Sequence, residues 1–115
     1  MSIVTTVDPM DTGDVDYRHV AWCDKDSTND GTTSDTGKLQ GATISTSAWT
    51  LDTGLAESSE NTNSVTIDGI TYDANTVATI LIDVDSDASG ILLAKNTITT
   101  SDGRTLNHTL AIPII

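Results

Sequence analysis

The sequence predicts an all-β domain, and three observations support this. Short apolar stretches alternate with turn residues at fairly even spacing, which is typical of a β-sandwich or β-barrel. Ser and Thr account for 32 of 115 residues, and Thr favours strands, whereas the helix formers Glu, Lys and Ala are sparse. Two Asp-Gly pairs, Asp68-Gly69 and Asp102-Gly103, lie between apolar runs, and such pairs supply the positive φ angles of tight hairpin turns.

We expect about seven strands, separated by polar turns. A bend at Gly54 follows the second strand, and a long polar loop, residues 24–40, follows the first. In the strand 76–84 the even positions form one apolar face, and Trp49 is the expected aromatic centre of the core. The predicted strands cover residues 15–23, 43–50, 65–67, 70–72, 76–84, 91–100 and 105–114.

Residues 1–13 are predicted to form an extended N-terminal arm, and residues 14–115 the β-domain. Asp8-Pro9 breaks the arm into short pieces. An arm of this kind can pair with the sheet of a neighbouring subunit by β-augmentation, although an ordinary frayed terminus has the same composition. The predicted interface residues are Ile3, Val4, Val7, Asp8 and Pro9.

Composition excludes several classes of function. The formal net charge is −12, which disfavours nucleic acid and anionic membranes as partners. The acidic charge is compatible with a basic protein partner, although solubility alone is also a sufficient explanation for it. Cys23 is the single cysteine, so no internal disulfide forms. The acidic start lacks the pattern of a signal peptide, and no apolar run reaches membrane-spanning length, so we expect a soluble protein made in a cytoplasm.

The predicted core is thin. Leu, Ile and Val together account for 26 of 115 residues, and Phe is absent. A chain with so little to bury gains from contact with neighbours, because apolar burial at an interface adds to that in the core.

Two Asp clusters are the only candidates for a metal site. Asp83, Asp85 and Asp87 form one, and alternate carboxylates in a turn can converge on calcium. Asp24, Asp26 and Asp30 with Gly31 form the other. Neither matches the EF-hand pattern, and an acidic turn is ordinary in an acidic protein.

No catalytic residue and no cofactor is predicted. The sequence lacks a nucleophile elbow, phosphate loop, zinc spacing or dinucleotide fingerprint. His19 and His108 follow no spacing motif, and Cys23 has acidic neighbours, which raise a thiol pKa rather than lower it. We therefore expect a protein that is not an enzyme.

Four groups of residues occur in an order found in a known set of proteins: Val7-Asp8-Pro9, Asp14 to Tyr17 with Trp22, residues 43–49 with Gly54-Leu55, and residues 96–105. In these segments the chain resembles small virion proteins of tailed bacteriophages with an immunoglobulin-like fold, some of them fibre–tail adaptors. The resemblance spans most of the chain, and the chain departs from it at residues 24–40 and 83–91.

The resemblance implies an immunoglobulin-like β-sandwich of about seven strands that is built into a virion in several copies. Its expected role is an assembly or adaptor module at the neck or tail, in contact with connector, tail or fibre proteins. Capsid decoration, on the major capsid protein, is the alternative. A calcium- or carbohydrate-binding module, with Trp22 or Trp49 as a sugar platform, is a further alternative from the residues themselves.

Overall fold

The chain is all-β in the computed structural model, which describes residues 3–23 and 38–115. Strands make up 62% of the structure, and the described residues contain no helix. Nine strands occur in these ranges: β1 (Ile3–Thr6), β2 (Val15–Ala21), β3 (Ile44–Leu51), β4 (Leu55–Asn61), β5 (Val65–Ile67), β6 (Ile70–Tyr72), β7 (Val77–Val84), β8 (Gly90–Thr100) and β9 (Thr105–Ile114).

The strands form three sheets. Sheet A has the order β1-β9-β8-β3, sheet B the order β2-β7-β4, and β5 and β6 form a separate hairpin. Neighbouring strands of sheets A and B run antiparallel, except that β1 runs parallel to β9. The buried side chains of both sheets belong to one hydrophobic cluster, so the sheets share a single core.

Both predicted Asp-Gly hairpins are confirmed. Asp68 and Gly69 have φ angles of 51° and 81°, as a type I′ turn requires, and they join Ile67 directly to Ile70. Gly103, with a φ of 90°, lies in the turn between β8 and β9. The turn is closed by the Thr100 N–H, which donates to the Arg104 carbonyl at 2.8 Å.

The predicted number of about seven strands is too low for the described residues, because β1 and β4 were missed. In β4 only Leu55 is buried and the next six residues are exposed, so no apolar alternation marks it. Strand β1 is four residues long and pairs with β9, more than a hundred residues away in sequence. Partners of that kind leave no local signal.

The predicted apolar face of β7 is confirmed, but the predicted aromatic centre is wrong. Ala78, Ile80 and Ile82 are fully buried. The buried tryptophan is Trp22, which is 2% exposed, whereas Trp49 is only partly buried at the margin of the core. Position decides this, because Trp22 follows the end of β2 and Trp49 lies on β3, an edge strand of sheet A.

A buried hydrogen bond ties the two sheets together across the core. The Trp22 Nε1–H donates to Oδ1 of Asn96 at 2.9 Å. Asn96, on β8, is fully buried, and its Nδ2 donates in turn to Ser47 Oγ at 2.9 Å and to the Ala48 carbonyl at 3.2 Å. Both polar groups are therefore satisfied inside an apolar core, as buried polar groups must be.

The backbone of Trp22 also fixes the far end of the polar loop. Its carbonyl accepts the N–H groups of Lys38 and Leu39 at 3.0 and 3.2 Å. The Arg104 guanidinium donates to the carbonyls of the same two residues at 2.9 and 2.6 Å. Leu39 is fully buried as a result. The loop itself, residues 24–37, lies outside the described residues.

Replacing Asn96 should destabilise the fold strongly. In Asn96→Ala the Trp22 Nε1–H is left buried without an acceptor and a small cavity forms, so we expect a loss of about 2–4 kcal/mol. Chemical denaturation measures it.

Trp22→Phe and the double variant complete a double-mutant cycle. A coupling energy near zero between the two positions would contradict the role given to this hydrogen bond.

Candidate functional site

The predicted interface segment lies along the edge of its own sheet A. Ile3 and Val4 belong to β1, and Val4 is 60% exposed. The Val7 N–H donates to the Ala111 carbonyl at 3.0 Å, and the Asp8 carbonyl accepts from Arg18 Nη2 at 3.1 Å. Exposed Pro9 completes the segment. The structure thus brings these residues together, and their role as an interface stays a prediction.

Met10 anchors this segment in the core. Its side chain is 1% exposed, its N–H donates to the Pro113 carbonyl, and its carbonyl accepts from the Ile115 N–H, both at 3.0 Å. By contrast, Val4, Thr5 and Thr6 have exposed side chains. Residues 4–6 are therefore held mainly by backbone pairing, and residues 7–10 by packing as well.

The outer face of sheet A is formed by alternate residues of its four strands, and the register aligns them in rows. Val4, Thr109, Lys95 and Thr50 form one row across the sheet. The side chains of the alternate positions point outward because strand residues alternate between the two faces. The next rows along the sheet consist of Thr6, Ala111 and Leu93, then Pro113 and Ile91, and on the other side Asn107, Thr97 and Ala48.

This outer face carries no carboxylate. All 17 acidic residues of the chain lie outside the four strands of sheet A, whose only Lys or Arg is Lys95. The carboxylate of Asp52 lies at the rim, where it accepts the Leu93 N–H at 2.8 Å. In a chain with a net charge of −12, sheet A is therefore a nearly neutral surface.

The same face exposes three of the six large apolar side chains that are accessible in the described residues. Val4, Leu93 and Ile91 are 60%, 40% and 65% exposed, and Ile115, directly after β9, is 74% exposed. Between them, Thr109 and Ala111 are only 6% and 7% exposed although they face outward. Apolar side chains clustered on a neutral face are typical of a protein contact surface.

The outer face of sheet B is different, because an aromatic pair projects from it. The rings of Tyr17 and His19 stack at 6.4 Å with an interplanar angle of 15°, and Tyr17 is 51% exposed. Strand alternation places them on one side of β2. Thr79 of β7 fixes the imidazole, since its Oγ1 lies 2.9 Å from His19 Nδ1.

Two hollows adjoin this aromatic pair. One has a volume of about 290 Å³ and is lined by both rings together with the polar residues Asn61, Asn63 and Thr79. The other, of about 420 Å³, lies towards Asp8 and the β5–β6 hairpin. Tyr17 and His19 line both hollows, so they form the ridge between them.

Both histidines make contacts that link neighbouring strands. Partial burial lowers the pKa of His19 and of His108 and so favours their neutral forms. His108 Nε2 lies 3.0 Å from Thr5 Oγ1, and its ring meets Trp22 edge-on at 6.0 Å. His108 therefore links β1 to the core.

The calcium candidates Asp83, Asp85 and Asp87 lie at the end of β7 and in the turn that follows, and all three are exposed. Within residues 3–23 and 38–115, no three His, Cys, Asp or Glu side chains come together as a metal site. The other Asp cluster, Asp24, Asp26 and Asp30, lies outside the described residues. Calcium binding stays a prediction.

A carboxylate pair on β4 was not predicted. A β-bulge between Glu57 and Ser59 places Glu57 opposite Ile82 and Glu60 opposite Ile80, so both glutamates share a side of the strand. A hydrogen bond with Glu57, followed by partial burial and the charge of Glu57, raises the pKa of Glu60 to about 7. On a regular strand, two side chains three residues apart would point to opposite faces of the sheet. The bulge is therefore what brings Glu57 and Glu60 to the same side.

The part of the chain that the structure describes contains no helix that is long and apolar enough to cross a membrane.

The Glu57–Glu60 pair should make the protein more stable as the pH falls from about 8 to about 5. The folded-state pKa of Glu60 is raised, so protonation favours the folded state, and this stability is lost as the pH rises through about 7. Melting temperatures across this range test it, compared with Glu60→Gln, which should remove this part of the pH dependence.

The difference between wild type and Glu60→Gln isolates the effect. The lowered pKa values of His19 and His108 act in the opposite direction at acidic pH, and they cancel in that difference. Identical pH profiles for the two proteins would contradict the pairing.

No family model matches the chain, and neither a curated protein nor a solved structure matches it. The features of the chain that bear on its function are therefore the two outer sheet faces and the resemblance in the sequence motifs.

Proposed function

We propose that this chain is a structural protein of a tailed-bacteriophage virion, an assembly or adaptor module at the neck or tail that connects fibres or neighbouring virion proteins. The observation that carries the proposal is the neutral, partly apolar outer face of sheet A in a protein of net charge −12. Contact surfaces in protein assemblies are depleted of charge at their centre, as this face is. The proposal assigns no catalytic residue and no cofactor to the chain.

We also propose that the fold is an immunoglobulin-like β-sandwich. In that fold, strands C, F and G form one sheet, and B, E and D lie in the other. The order β9-β8-β3 corresponds to G-F-C, and β2-β7-β4 corresponds to B-E-D. Seven strands then make up the sandwich if β1 is counted as the first strand, and the β5–β6 hairpin is an insertion before β7.

The outer edge of β1, which pairs with no strand among the described residues, supplies a second means of attachment. Alternate residues of a parallel strand direct their backbone groups to the same side. The Val7 N–H points to β9, so Thr5 and Val7 bond inward, and the N–H and C=O groups of Val4 and Thr6 face the free edge. β1 carries no charge, proline or bulge, which are the features that protect natural edge strands.

Capsid decoration is the alternative location, since a flat neutral face suits a shell as well as a tail. Mass spectrometry of purified particles followed by a reconstruction of the particle tests both. Six or twelve copies at the neck or tail support the adaptor role, and hundreds of copies on the shell support decoration. Absence of the chain from purified particles would contradict the virion proposal.

Truncation separates attachment from folding. Deleting residues 1–6 removes β1, in which Val4, Thr5 and Thr6 have exposed side chains, so we expect a folded protein that is no longer incorporated into particles. Deleting residues 1–13 also removes buried Met10 and should cost about 2–5 kcal/mol of stability. Thermal melts and incorporation assays measure the two effects, and normal incorporation of the shorter truncation would show that β1 is not an anchor.

Carbohydrate binding is a second candidate function, and the Tyr17–His19 ridge favours it. Of the two predicted sugar platforms, Trp22 is buried, whereas Trp49 is only partly exposed at the core margin. Tyr17 offers an exposed ring beside the amides of Asn61 and Asn63, a combination that suits the apolar face and hydroxyl groups of a neutral sugar.

Titration with neutral oligosaccharides, followed by backbone NMR, tests this candidate. We expect shifts confined to the two hollows, abolished in Tyr17→Ala and retained in Tyr17→Trp. Val15→Ala, an exposed position on the same strand outside the lining of the hollows, is the matched control. Equal binding by Tyr17→Ala and wild type would remove Tyr17 as the platform.

A further inference from the structure

We infer that the outer face of sheet A is a contact surface between two copies of this chain, which pack face to face about a two-fold axis. This inference rests on the proposed assembly role, and it identifies a second copy of the chain as the partner at that surface. A two-fold contact uses the same patch on both copies, so the patch must be compatible with itself. Charge, apolar exposure and shape each meet that condition here.

Charge selects a second copy as the occupant. Each copy carries a net charge of −12, so two copies repel each other wherever their carboxylates approach. Sheet A has no carboxylate within its strands, whereas β2, β4 and β7 of sheet B carry Asp16, Glu57, Glu60 and Asp83. Face-to-face packing of two A sheets therefore keeps these four carboxylates of each molecule away from those of the other.

The same distribution disfavours a basic partner at this face. A cationic surface is attracted to carboxylates, and none of these lies within the strands of sheet A. A neutral, apolar surface is the chemistry that sheet A matches, and a second sheet A has that chemistry.

Apolar exposure and shape give the contact its centre. Leu93 and Val4 flank the outward-facing Ala111 and Thr109, which their neighbours have nearly buried. Side chains of two stacked sheets interdigitate at about 10 Å between sheets, so the small Ala111 and Thr109 leave room for larger side chains of the other copy.

Sedimentation velocity on the full chain tests the inference, in a concentration series from about 10 µM to about 1 mM. We expect a monomer–dimer equilibrium that tightens when NaCl is raised from about 20 mM to about 300 mM, because salt screens the repulsion between two acidic molecules. A contact between opposite charges would weaken over the same range.

Two variants locate the contact. Leu93→Asp puts a carboxylate at its centre, and Lys95→Glu does so in the next row; each should weaken dimerisation about tenfold or more. Val15→Asp is the matched control, since Val15 is an apolar residue of sheet B, 53% exposed, and the charge change equals that of Leu93→Asp. The control should dimerise like wild type, and thermal melts check that all three variants are folded.

Three results would overturn the inference: a monomer throughout the series, association that weakens with salt, or folded Leu93→Asp and Lys95→Glu variants that both dimerise like wild type. The outcome is separable from that of the virion proposal. A chain that is monomeric in solution and paired nowhere in the particle, yet present there, defeats only this inference. A dimer that is absent from particles defeats only the virion proposal.

Discussion

The hydrogen bond between Trp22 and Asn96 is the constraint on which the two-sheet arrangement depends. Trp22 follows β2 of sheet B and Asn96 lies on β8 of sheet A, so this bond fixes the sheets relative to each other within the core. With no Phe and 26 branched aliphatic residues, the core has little apolar area to specify one packing. A directional bond between satisfied, buried groups supplies specificity that apolar contacts alone do not.

The same tryptophan connects the core to the ends of the molecule. Its backbone holds Lys38 and Leu39, which Arg104 also binds, and its ring contacts His108, which bonds Thr5 of β1. Trp22 therefore positions both the start of sheet A and the end of the long loop at residues 38–39. Within the described residues, the core positions the surfaces proposed for attachment.

Charge is divided between the two sides of the molecule, and this division gives them different uses. Sheet A is neutral and partly apolar, which suits contact with protein of the same character. Sheet B carries carboxylates and the exposed Tyr17–His19 ridge, which suits a polar ligand in water. Without carboxylates in its strands, sheet A lacks the repulsion that a strongly acidic surface exerts on another acidic protein.

The sequence by itself determined the β class, both Asp-Gly hairpins and the apolar face of β7, because each depends on neighbours within a few residues. The tertiary structure alone decided that Trp22 rather than Trp49 is buried, that residues 3–6 pair with β9, and that a bulge brings Glu57 and Glu60 together. It also decided that four of the six strands without carboxylates form one sheet. Those features depend on which distant strands become neighbours, and pairing between distant strands is set by the packing of the whole core.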